Sequence, residues 1–177
     1  MDKMIYTLIS AIISMPLIAC QFDERKVEIN IVKQEGVEYR IHEVPIIVNI
    51  KNNGDAPLKL LYPYDIKGNY LGVFNFTCVC RNQKWECQSF VEEKETANLN
   101  HPKNFKYIEI LPKKDVDIKV MLDKIVAPKL LPGNYTITMV YHNQMDKNCF
   151  MGEIKARNRM DITILDEKED EPKPEYI

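Results

Sequence analysis

Residues 130–142 read Leu-Leu-Pro-Gly-Asn-Tyr-Thr-Ile-Thr-Met-Val-Tyr-His. From Tyr135 onward the large side chains Tyr135, Ile137, Met139 and Tyr141 fall at every second position. Thr136, Thr138, Val140 and His142 stand between them. A pleated strand sends alternate side chains to opposite faces, so this stretch predicts a strand with one apolar face. Pro132-Gly133-Asn134 supplies turn chemistry immediately before it.

The same period recurs along the chain. Val27, Ile29 and Ile31 alternate with Glu28 and Asn30. Val44, Ile46, Val48 and Ile50 alternate across Pro45, Ile47 and Asn49. Val116, Ile118, Val120 and Leu122 alternate with Asp115, Asp117, Lys119 and Met121, and Met160, Ile162 and Ile164 with Asp161 and Thr163. Turn residues separate the runs at Asn52-Asn53-Gly54-Asp55, at Pro63 to Gly68 and at Pro112-Lys113-Lys114-Asp115. Glu92 to Leu99 and Asp123 to Leu130 have room for a helical turn or two, and Pro128 limits the second. About nine strands of this kind predict an all-β sandwich over residues 27–165.

Particular residues carry a resemblance to immunoglobulin-like and fibronectin-III-like domains. Leu130 to Tyr135 looks like the loop that enters strand F there, in which a tyrosine hydroxyl bonds back to the upstream backbone; Tyr135 would be that structural corner. Leu111-Pro112 looks like the start of strand E, and Asn158 to Leu165 like strand G. The Val44 strand ending in Lys51-Asn52-Asn53-Gly54-Asp55 resembles strand B and its turn. The resemblance implies a single antiparallel sandwich and leaves function open. Its departure is the long, cysteine-bearing middle, Tyr62 to His101, which implies a hairpin insertion.

Within that middle, Gly72 to Phe90 reads as two strands around Arg81-Asn82-Gln83-Lys84. A loop at Asn82-Gln83 sets Cys78 opposite Cys87, and a non-hydrogen-bonded pair suits a disulfide. Cys80 then reaches Cys149. A shifted loop gives Cys80–Cys87 with Cys78–Cys149 instead. Cys78, Cys80, Cys87 and Cys149 with His142 also contain enough donors for a tetrahedral metal, though export favours disulfides. Tyr62, Tyr64, Tyr70, Phe74, Phe76 and Trp85 crowd the same segment, either as core or as a recognition patch.

The first residues resemble a bacterial lipoprotein signal peptide. Lys3 precedes an apolar run, Met4 to Ala19, that is too short to span a bilayer as a helix. Leu17-Ile18-Ala19-Cys20 resembles a lipobox. The resemblance implies removal of residues 1–19, lipidation of Cys20, and a short tether over residues 20–26. By analogy with lipoprotein sorting, Gln21 after the cysteine implies the outer membrane, facing the periplasm or the surface. At the other end, residues 166–177 hold six acids against Lys168 and Lys173, with Pro172 and Pro174, and read as an acidic disordered tail.

Chemistry is sparse. The body from Gln21 to Leu165 is nearly neutral, which gives nucleic acid no electrostatic footprint. The three histidines, His42, His101 and His142, are scattered, and Ser89 is the one serine after Cys20. No hydrolase elbow, zinc-protease helix or phosphate loop is present. The expectation is a non-enzymatic, cofactor-free binding or scaffolding module with a membrane anchor and a protein partner. The alternative is a protease inhibitor presenting the loop from Asn143 to Asn158.

Overall fold

Alternation decides which face of each strand is buried. The computed structural model describes residues 26–89 and 104–167. Its named elements among these residues are all β-strands, apart from a 3-10 turn at Leu122–Lys124. The strands are β1 (Val27–Val32), β2 (Tyr39–Arg40), β3 (Pro45–Asn52), β4 (Leu58–Leu61), β5 (Phe74–Cys80) and β6 (Trp85–Ser89). Then come β7 (Tyr107–Ile110), β8 (Asp115–Met121), β9 (Val126–Ala127), β10 (Gly133–Asn143), β11 (Gly152–Lys155) and β12 (Met160–Leu165). Every residue expected on an apolar strand face is buried except Val116, which is half-buried.

Two larger sheets share one core. The first has the order β1-β3-β8, and the second β2-β12-β10-β5-β6-β9, with β11 also pairing with β10. Val48, Ile50 and Val120 of the first and Phe76, Ile137 and Ile162 of the second belong to a single buried cluster, an arrangement consistent with a β-sandwich. A two-stranded ribbon, β4-β7, continues the β3-β8 ladder past a bend. Asn52 makes that bend. It is fully buried, donates to the carbonyls of Ala56 and Ile110 at 2.9 Å, and accepts from the Gly54 amide at 2.9 Å. A buried amide with these bonds replaces the ladder hydrogen bonds the bend removes.

The longest strand, β10, organises the second sheet. Its first half pairs with β12 (Ile137↔Met160) and its last residues with β11 (Val140↔Lys155). Residues 156–159 bulge out between those ladders. The bulge reaches the edge of the first sheet. The Arg157 amide donates to the Ile29 carbonyl at 2.8 Å, and the Asn158 side chain both accepts from and donates to the Ile31 backbone, at 2.8 and 2.7 Å. An exposed strand edge invites pairing with other chains; here Asn158 occupies part of it.

The segment from Asn143 to Asn158, expected as one long loop, is mostly a hairpin arm. The alternation of Tyr135 to Tyr141 carries on to Asn143, and β11 folds back on it, so the connection between them is residues 144–151. The Asp123–Leu130 helical expectation shrinks to the 3-10 turn followed by β9. Residues 1–25, the helical candidate Glu92 to Leu99, and the tail beyond Glu167 lie outside the described residues.

Candidate binding surfaces

Tyr135 is buried near the start of β10. Its hydroxyl donates to the Leu131 carbonyl at 3.0 Å and accepts from the Leu131 amide at 3.1 Å. Gly133 beside it permits close approach: a Cβ there would stand 3.0 Å from the Cys80 sulfur.

The cysteines divide into two places. β5 and β6 pair antiparallel with Cys78 opposite Cys87 and Cys80 opposite Trp85. The Cys78 thiol donates to Cys87, which raises the first pKa and lowers the second. The pair is a hydrogen-bonded one, not the non-hydrogen-bonded kind expected. The Arg81 and His142 amides mark the odd residues of β5 as facing β10, so the even ones, Cys78 and Cys80, face β6. The Cα separation of such a pair, about 5.5 Å, still lies within the disulfide range of ~4.4–6.8 Å.

Cys149 is elsewhere. Its sulfur is 3.2 Å from the Asn143 side-chain nitrogen, at the far end of β10, whereas Cys80 lies opposite Tyr135 near its start. Eight residues of strand between Tyr135 and Asn143 cover ~26 Å. Both expected long-range bridges, Cys80–Cys149 and Cys78–Cys149, are therefore not brought together. The same distance separates the donors of the tetrahedral alternative. Burial, and then the nearby Asp146 carboxylate, push the Cys149 thiol up to about 11.

Residues 144–151 form a folded turn rather than an open loop. The fully buried Asn143 donates to the carbonyls of Asp146 (3.0 Å) and Phe150 (2.8 Å) and accepts from the amides of Met145 and Asp146. Burial works against charge on Asp146, but hydrogen bonds from the Tyr107 hydroxyl and from the backbone and side chain of Asn148 outweigh it and hold the carboxyl below its usual range. The same bond raises Tyr107 to about 12. Met145, Lys147 and Met151 are left on the outside. Sequence reasoning missed Asn143 and Asp146; the Asn-x-x-Asp spacing at the end of an alternating run was the available signal.

The opposite end of β10 carries the turn Arg81 to Lys84. The Arg81 amide bonds to the Asn134 carbonyl at 2.8 Å, and its guanidinium bonds to Thr136 and pairs with Asp161. A shallow polar groove runs here past Lys33, Asn82 and Thr163. The outward face of the sheet between the two ends places Thr77 beside Thr138 and Val79 beside Thr136. Of the crowded aromatics, Phe74 and Phe76 are core, while Tyr62, Tyr64, Tyr70 and Trp85 are half-buried against it. Ser89 is structural: its hydroxyl accepts from the Phe76 amide and donates to the Phe74 carbonyl. Asp115 and Asp117 both accept from Asn49 on the outside of the first sheet. His42 pairs with Glu167 at 2.8 Å, well away from His142.

A scan against protein-family models finds no match to this chain, and a search of curated proteins finds none either.

Proposed function

We propose that this chain is an exported lipoprotein whose immunoglobulin-like sandwich acts as a non-enzymatic binding or scaffolding module at the cell envelope, in the outer membrane. Residues 1–19 are the signal peptide, Cys20 is the acylated N-terminus, and a protein partner meets the tethered domain. The observation that carries the reading is Leu17-Ile18-Ala19-Cys20 at the end of a short apolar run, ahead of a globular body. Acyl chains hold such a protein stably, since each buried CH₂ contributes about 0.8 kcal/mol.

The immunoglobulin-like part is supported by strand order. Taken as strands A, B and E, β1-β3-β8 form one sheet, and β12-β10-β5-β6, taken as G, F, C and C′, form the other. The Tyr135–Leu131 bonds support the tyrosine corner. The buried polar side chains Asn52, Asp65 and Asn143 all bond to turn backbone, and so hold the turns that such a module would present.

Metabolic labelling with a palmitate analogue tests the anchor. The wild type should incorporate label into a membrane-fraction protein, and Cys20→Ala should lose it. Equal labelling of both refutes the lipoprotein reading.

A further inference from the structure

We infer that the end of the domain formed by residues 53–57, 111–114 and 144–151 rests on the bilayer, so that the Arg81–Lys84 end is the one held out to a partner. The inference rests on the lipid-anchor reading above and adds which surface meets lipid.

The chain enters the fold at one end. β1 runs parallel to the bulge: Ile29 meets Arg157 and Ile31 meets Asn158. Val27 therefore lies on the β11 side of that contact, towards the turn at residues 144–151. The first sheet gives the same placement independently. Val27 is paired with Asn52, the Lys26 carbonyl accepts from the Asn53 amide at 2.7 Å, and Lys113 bonds to the Asn53 carbonyl at 2.7 Å. Beyond the bend, the Lys59 carbonyl accepts from the Phe150 amide at 2.9 Å. Three turns thus gather where the chain enters.

The other end is distant. Asn134, bonded to Arg81, and Asn143 are nine residues apart on one continuous strand, ~30 Å. Leu165, where β12 stops, pairs with Arg40 at that distant end, and the Arg40 guanidinium bonds to the Asp166 carbonyl at 2.8 Å. The last described residues therefore lie at that end.

Tether length decides between orientations. Cys20 to Val27 spans at most ~25 Å even when drawn straight. The Arg81–Lys84 end can touch lipid only if the tether is almost fully stretched. The near end is held against the surface at no such cost.

The near end has suitable chemistry. Leu111 is 57% exposed, Met151 47% and Met145 40%. Lys113, Lys114 and Lys147 are exposed in the same turns, where the one exposed acid, Asp55, pairs with Lys113 at 2.9 Å. Exposed apolar side chains with an excess of lysines suit the boundary of an anionic leaflet.

The single tryptophan, Trp85, lies opposite Cys80 at the distant end and is a built-in reporter. Lipidated full-length protein in phosphatidylethanolamine/phosphatidylglycerol vesicles containing brominated phosphatidylcholine should keep its Trp85 emission. Moving the reporter, as Trp85→Phe with Met151→Trp, should lose roughly half of the emission. Met145→Trp in the same Trp85→Phe background is a second reporter with the same expectation, should the first substitution disturb the turn. Quenching of Trp85, or emission from both turn reporters that brominated lipid leaves unchanged, overturns the orientation. A wild type that fails to float with vesicles overturns the anchor itself, so the two failures are told apart before fluorescence is read.

Discussion

Single polar side chains hold the bends of this protein. Tyr135 is the clearest case, because one hydroxyl both donates to and accepts from Leu131 four residues upstream. Tyr135→Phe keeps the ring in the core and removes those bonds. It should destabilise the protein by about 1–2 kcal/mol in urea titration, with an unchanged slope, since a lost intramolecular hydrogen bond costs ~0.5–1.5 kcal/mol and the Leu131 groups lose their partner. No change in midpoint would remove Tyr135 from the account. Asp146 adds a pH dependence. Its folded pKa lies below the unfolded value, so its contribution to stability is present above the unfolded carboxylate range. That contribution is lost as pH falls through the depressed folded pKa. The hydrogen-exchange protection factor of the Asn148 amide, whose N–H bonds to the carboxylate at 3.0 Å, should fall on acidification before those of β10 do. Simultaneous loss of both would mean the turn has no separate acid response.

Among the elements, the strands were legible because alternation is local: each residue of Tyr135 to Tyr141 announces its own face. Partnership was not. Whether β10 continues into a loop or a hairpin arm depends on β11, a four-residue strand with a single buried apolar residue, Ile154, and no alternating run of its own. β2 and β9, two residues each, carry no period at all. Loop length around Arg81 to Lys84 left two registers open, and the structure takes the one that sets Cys78 against Cys87. The fate of Cys80 and Cys149 was not readable, because it depends on which end of β10 each one meets. Peptide mapping of the exported protein without reduction should therefore find Cys78 linked to Cys87. Such a bridge over a short loop contributes about 3 kcal/mol, which reduction should remove. A Cys78–Cys149 or Cys80–Cys149 peptide would contradict the placement of the hairpins.

At the scale of the whole molecule the sandwich is polar end to end. The chain enters beside the turns at residues 53–57 and 144–151 and leaves at Leu165, next to the Arg81 end. That polarity matters only if the N-terminus is fixed to something, and the proposed acylation of Cys20 would fix it to a membrane. The candidate surfaces were less legible than the fold. A partner surface needs no periodic signature, and the proposed lipobox would give an address without naming a partner. The address is the claim on which orientation and function both depend. Mass spectrometry of the N-terminal peptide from membrane-extracted protein tests it most directly. The account predicts a chain that begins at Cys20 and carries the mass of its acyl groups. A chain that still begins at Met1, or one processed elsewhere with Cys20 unmodified, would contradict it.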